Sequence, residues 1–270
     1  MKVILIADDS SANRWLVQEL ASRGLVHSVV RPDWSIARPP ELATIRRARV
    51  GIVTKVLRRI RARYFLPIDA SAHERLAQLL ACNANATIPV HVVPAWSMNG
   101  AETEALLRRE APDIVLVSGA PMLRPNVYEI ARLGTINLHF GISPAYRGMH
   151  TLVVPWWRGD SANLGATVHF IDDGIDTGPV LLRVYPRIEA TDDAVTIEAD
   201  IVRETTRAVC QLLVDIAAHN GGPLQGTRLG GESTLIRFHD RRIREHVRYR
   251  WRRWRGDRPR PQPSRVERLY

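Results

Sequence analysis

Three polar side chains from two short segments of this 270-residue chain are of types that can do chemistry together: the amide of Asn137, the imidazole of His139 and the carboxylate of Asp176. An amide and an imidazole can donate hydrogen bonds to a developing oxyanion, and a carboxylate beside an imidazole can hold an imidazolium and relay protons. Asn137 and His139 sit in the apolar run Leu133 to Phe140, which reads as a strand, and side chains two apart on a strand share a face. Gly141, Pro144 and Gly148 then break regular structure. Both residues therefore fall near the carboxyl end of a strand, where open α/β sheets bind ligands. Asp176 comes from a second strand end: Thr167 to Ile171 reads as a buried strand, Asp172 to Gly178 as a tight acidic loop, and Pro179 to Val184 as the next apolar run. Taken alone, Asn137 and His139 could equally satisfy buried backbone groups.

The order and spacing of the two segments decide between these readings. Asn137-x-His139, then Pro144, Tyr146, Arg147 and Gly148, then His169, Asp173, Asp176 and Gly178 together resemble the 10-formyltetrahydrofolate-dependent formyltransferase family. The resemblance covers Asp113 to Arg187 closely and the amino-terminal sheet more loosely. It implies 10-formyltetrahydrofolate as co-substrate, a small-molecule primary amine as acceptor, and Asn137, His139 and Asp176 as the catalytic set. It also implies that the folate ring inserts at the loop Gly119 to Arg124, with Pro121, Met122 and Leu123 as contacts, and with Asp172, Asp173 and Gly174 beside it. Asp172 and Asp173 are otherwise read as loop-shaping. His169, on the opposite strand face from Val168, is expected to orient the loop carrying Asp176 without touching substrate; His150, after the Arg-Gly turn, is a candidate to reach substrate. No metal is expected: an EF-hand counted from Asp172 would need Glu where Arg183 stands.

The elements that must position these residues alternate. MKVILIAD opens as a strand, and Ser10 or Ser11 can cap a helix from Asn13 to Arg23. Further strands are expected near Val26 to Val30, Pro89 to Pro94 and Asp113 to Ser118. Helices are expected over Leu42 to Tyr64, Ala72 to Ala81, Ala101 to Glu110, Pro125 to Leu133 and Asp192 to Ala218. This pattern predicts an α/β fold, a doubly wound, mostly parallel (Rossmann-like) sheet flanked by helices. We read residues 1–235 as the catalytic domain and 236–270 as a basic extension.

Charge is uneven. Arg241 to Tyr270 holds twelve arginines against three acids, a net of +9, so the formal +10 of the chain leaves about +1 elsewhere. This tail interleaves arginines with Tyr249, Trp251 and Trp254, then turns Pro-rich and is expected to lack fixed structure. It reads first as a solubilising extension, then as a contact for an anionic membrane surface or polyanion, and last as a grip on RNA. Specific nucleic acid is not an expected partner, and a homo-oligomer stays open. The basic stretch Arg46 to Arg63 is either a cover helix or a companion membrane contact. Cys82 and Cys210 form no motif and are expected to be reduced core residues. With no run of the ~18 apolar residues that a membrane span needs and too short an apolar start for a signal peptide, the expected compartment is the cytoplasm, with peripheral association at the inner membrane face.

The acceptor is the least legible part. The glycinamide ribonucleotide enzymes hold a substrate phosphate at a Gly-rich turn after the first strand, whereas Asp8 to Asn13 here has no Gly and two acids. The favoured acceptor is therefore an amino sugar attached to a nucleotide. Phosphoribosylglycinamide is the alternative; a catalytically inactive module that binds a polyanion or membrane is the reading from another class.

Overall fold

The computed structural model describes residues 1–37, 52–81, 87–218, 225–237 and 240–270, with side chains of the second stretch described from residue 56 onward. β1 (Val3–Ala7) is apolar throughout and buried on both faces, as a central parallel strand must be. It pairs in parallel with β2 (Ser28–Asp33) on one side and β4 (Ile114–Ser118) on the other. β3 (Val90–Pro94) extends the sheet beyond β2, and β5 (Gly134–His139) lies parallel to β4. Beyond β5 the direction alternates: β7 (Ala166–Phe170), β8 (Val180–Tyr185) and β10 (Arg265–Arg268) are antiparallel, giving the order β10-β8-β7-β5-β4-β1-β2-β3. The winding reverses between β1 and β4, which is where doubly wound sheets open a crevice at their carboxyl ends. A two-stranded ribbon, β6 (Tyr146–Gly148) with β9 (Thr234–Ile236), stands over the end of β5.

Helices cover both faces. α1 (Ser11–Ser22) is capped by Ser10, whose hydroxyl accepts the Asn13 N–H at 3.4 Å, and buries Leu16 and Leu20 against β1 and β2. The long α6 (Ala194–Ala218) covers the same face through Val209, Leu212, Leu213 and Ile216. It begins two residues later than expected because Asp193 accepts the N–H groups of Val195 and Thr196 and so caps it. α3 (Ala101–Glu110) and the single turn α4 (Pro125–Tyr128) cover the other face with Met98, Leu106 and Val127.

Several elements differ from expectation. The helix expected over Pro125 to Leu133 ends at Tyr128, because Arg132 and Leu133 donate to the carbonyls of Pro112 and Asp113 and are drawn to the start of β4. The two helices expected between Leu42 and Ala81 are one, α2 (Ile52–Leu79), continuous through Pro67; packing of Phe65 and Leu76 holds both halves. Residues 42–51 lie outside the described residues, as does Cys82; Cys210 is free and buried. The basic tail, expected to lack fixed structure, is ordered. α7 (Ile243–Trp254) packs on α5 (Val153–Arg158), and the Pro-rich segment ends in β10, an edge strand of the main sheet. No described helix is long and apolar enough to cross a membrane.

Candidate active site

The register of the sheet brings the polar residues together. On β5 and β7 Asn137 lies directly opposite His169, and a bulge between Val168 and His169 adjusts the strand where the histidine projects. The Asn137 amide reaches the His169 Nε2 at 3.3 Å and donates to the Asp176 Oδ1 at 3.3 Å. His139, two residues along, places its Nδ1 3.3 Å from the Asp176 Oδ2, and His169 places its Nε2 3.5 Å from the Oδ1. The Gly148 N–H donates to the Oδ2 at 2.8 Å. Asp176 is therefore the hub of three side chains and one backbone group. It is held there in the left-handed region, φ 51°, a strained conformation for a residue with a Cβ.

The proton inventory follows from the fixed partners. The His169 Nδ1 donates to the Phe170 carbonyl at 2.7 Å, and its Nε2 faces both the Asn137 amide and the Asp176 carboxylate. The His139 Nε2 donates to the Tyr146 carbonyl at 3.1 Å, so its Nδ1 faces Asp176. Gly141 makes room for that ring, since a Cβ there would lie 2.6 Å from the Nε2. Burial pushes the His139 pKa down, against the charge of Asp176, which raises it. Burial alone would raise the Asp176 pKa, but the His169 hydrogen bond, the His139 charge and the Gly148 N–H outweigh it and hold the carboxyl at about 2. The site thus stores a carboxylate that stays ionised beside an imidazole that burial keeps neutral.

The acidic loop shapes itself. Asp172 accepts from the Gly174 N–H at 3.1 Å and the Thr177 hydroxyl at 2.6 Å and lies 3.4 Å from Arg228, while Asp173 accepts from the Tyr128 hydroxyl at 2.8 Å. That last bond helps push the tyrosine up to about 12. A Cβ at Gly174 would collide with Thr177. Asp172 is therefore engaged chiefly within the loop, and Asp173 ties the loop to α4.

In the loop after β4, Leu123 is buried in the core and Met122 is exposed. Asn99, not singled out in the sequence, clamps this loop by donating to the Met122 carbonyl at 2.9 Å and accepting the Arg124 N–H at 2.7 Å. No local spacing signals Asn99, because its partners lie 23 and 25 residues away. Gly119 sits at φ 72° against Asp8 and Asn13, where a Cβ would clash. Its neighbour Ser118 accepts at its carbonyl from the Asn13 amide, which ties the end of β4 to α1.

His169, expected to orient the loop carrying Asp176, meets Asp176 directly and contacts Asn137 as well. Burial lowers the pKa of His150, and the charges that bear on it are those of Arg241, Asp69 and Arg61. Tyr146 links the site to its surroundings, with its carbonyl on His139 and its hydroxyl donating to Asp160 at 2.9 Å.

Residues 3–213 match the family profile described as formyl transferase. Methionyl-tRNA formyltransferase from Chlorobium phaeovibrioides is 31% identical over 138 residues, covering 48% of this chain and 43% of that protein. The Pseudomonas entomophila protein of the same name is 29% identical over 180 residues, covering 65% and 56%. The chain spans about half the length of the curated relatives it matches. Among solved structures, a sugar N-formyltransferase from Shewanella superposes with a TM-score of 0.57 at 13% identity, over 92% of this chain and 87% of that one. Phosphoribosylglycinamide formyltransferase from Anaplasma phagocytophilum gives 0.54 at 16%, over 88% and 97%. At such identities these structures speak for the fold.

Proposed function

Because the chain belongs to the formyl transferase family, we propose that it moves a formyl group from 10-formyltetrahydrofolate to the primary amine of a small molecule, an amino sugar nucleotide being the favoured acceptor. The convergence of Asn137, His139 and His169 on the Asp176 carboxylate carries this reading. In the loop Gly119 to Leu123 the backbone N–H groups of Ala120, Met122 and Leu123 have no hydrogen-bond partner among the described residues, which suits a flat heterocycle with polar edges. Pro121, Met122, Leu123 and the backbone of Asp172, Asp173 and Gly174 would hold the folate, which when bound supplies the formyl carbon.

The chain's own groups divide the remaining work. The Asn137 amide, whose nitrogen faces His169 and Asp176, exchanges one of these partners for the carbonyl oxygen as negative charge gathers there. Asp176, ionised throughout the physiological range, draws a proton onto the adjacent imidazole of His139 and stabilises it there, so that a proton leaving the amine has a place to go and a source from which to return. Both His139 nitrogens already have partners, so it acts by exchanging one of them, whereas His169 holds Asn137 and Asp176 in register.

The first-strand turn supports an acceptor other than phosphoribosylglycinamide. Asp8 takes the Ser10 N–H at 3.1 Å and the Asn13 amide at 2.6 Å, groups that would otherwise face a phosphate. Asp9, ion-paired with Arg14, adds a second negative charge. The similarity to methionyl-tRNA formyltransferases favours methionyl-tRNA as a second reading. The test measures tetrahydrofolate release with amino sugar nucleotides, phosphoribosylglycinamide and methionyl-tRNA. Turnover with an amino sugar nucleotide, abolished by Asp176→Ala, is expected; no release with any acceptor would sink the proposal.

A further inference from the structure

α7 has two faces with different tasks. His246, Tyr249 and Arg252 face inward: His246 meets the Tyr64 hydroxyl at 2.9 Å and the Trp157 ring at 4.9 Å, Tyr249 packs on Trp156, and Arg252 donates to the carbonyls of Trp157 and Arg158 at the end of α5. On the opposite side, at 100° per residue, Val247, Trp251 and Trp254 fall within an arc of roughly 60°. They are 52%, 54% and 83% exposed. Exposed arginines line both margins of this stripe: Arg250 on one, and Arg244, Arg248 and Arg255 on the other. The Arg255 guanidinium lies 4.6 Å over the Trp251 ring. The ion pairs formed by α7 and its exit, Arg158–Glu245 and Arg252–Asp257, use other residues.

The neighbouring helix carries matching chemistry. Val56, Leu57 and Ile60 of α2 are exposed among Arg58, Arg59 and Arg63. Ile60 stands about one turn before Tyr64, which meets α7 through His246. Two adjoining basic helices thus each leave large apolar side chains in water, where a folded chain gains nothing from them.

We propose that the outer face of α7, with the adjoining end of α2, is a seat for an anionic lipid bilayer. Val247, Trp251 and Trp254 enter the boundary between headgroups and acyl chains, while the flanking arginines extend to the phosphates. The net +9 of Arg241 to Tyr270 supplies the complementary charge. A nucleic acid could use the arginines and stack on the tryptophans, but it gives no role to Val247, Leu57 or Ile60; a bilayer uses all of them. This inference does not depend on the formyl-transfer reading.

The test is co-sedimentation of the full chain with vesicles of phosphatidylcholine alone and of equimolar phosphatidylcholine and phosphatidylglycerol, at low and high salt. Binding is expected to the phosphatidylglycerol vesicles only and to weaken with salt. The double variant Trp251→Ala/Trp254→Ala should lose roughly tenfold or more in affinity, and Val247→Ser less, with melting unchanged since these side chains face outward. Arg248→Gln/Arg250→Gln should weaken binding independently of any effect of the tryptophans on folding. No binding to phosphatidylglycerol vesicles overturns the proposal. So does tryptophan-independent binding, dimerisation through this stripe without vesicle binding, or a mixed-sequence RNA bound more tightly than vesicles and indifferent to Val247→Ser.

Discussion

At the scale of single residues, Asp176 decides most of what the site can do, because every other polar group in it is arranged around that carboxylate. Replacing Asn137 by Ala removes the oxyanion donor proposed above and is expected to lower kcat roughly 10²- to 10³-fold with little change in folate affinity, checked by steady-state kinetics. Asp176→Asn keeps the shape but removes the charge that raises the His139 pKa, so the His139 ring should titrate still lower, read by NMR of the ring protons. Activity should fall roughly 10²- to 10⁴-fold. The same substitution has a stability signature. A carboxyl held at about 2 in the folded state and near its ordinary value when unfolded contributes stability above the unfolded value, and loses it as pH falls through the folded one. The wild type should therefore shed about 2 kcal/mol between neutral pH and pH 2 that Asp176→Asn does not, measured by urea unfolding across pH. The sequence made Asn137, His139 and Asp176 visible, since residue type and two-residue alternation suffice to suggest them. The contact of His169 with Asn137 is not legible there, because its place opposite Asn137 depends on cross-strand register, which one strand alone does not reveal.

Among the elements, legibility tracked how local the determining forces are. β1, β4 and β5 are apolar runs whose burial is written in their composition, and α3 has the bounds its periodicity predicts, closed by Ala111 in the left-handed region. α4 and α2 departed because carbonyls and side chains from other elements decide where they stop or continue. The ribbon β6–β9 is far from local, pairing segments nearly ninety residues apart. It is also the element on which the site leans, through the Gly148 N–H on Asp176. Gly148 stands at φ 92° with a prospective Cβ 2.3 Å from the Ile236 carbonyl oxygen. Gly148→Ala should force the ribbon apart, destabilise the fold by about 1–3 kcal/mol in chemical denaturation, and lower activity beyond what that loss explains, because Asp176 loses a donor. Gly230→Ala, where an added Cβ meets nothing and φ is not positive, should change stability by less than about 0.5 kcal/mol.

For the whole molecule, the question is how the basic carboxy-terminal segment relates to the rest. Composition marks residues 236–270 as an extension and says nothing of its contacts, because its partners come from α2, α5 and β8. Arg241, 7% exposed, donates to both Asp69 oxygens at 2.8 and 2.6 Å and lies 4.0 Å over the Phe65 ring and 5.1 Å from that of Trp157. β10 pairs with β8 from Leu182 to Tyr185 and so covers what would otherwise be the edge of the sheet. Arg241→Ala should cost about 2 kcal/mol or more, since it leaves Asp69 without its partner and an aromatic cluster without its lid; a pair with one half-exposed member merits less than a fully buried one. Truncation after residue 235 goes further, uncovering Phe65, Trp156 and Trp157 and opening the β8 edge. At about 1.5–3 kcal/mol for each large apolar side chain returned to water, the loss is comparable with the entire stability of an ordinary domain. The truncated chain should therefore aggregate or melt far below the full chain, measured by calorimetry and size-exclusion chromatography. A truncated chain that melts like the intact one would mean that residues 236–270 are an appendage whose contacts with α2, α5 and β8 contribute nothing.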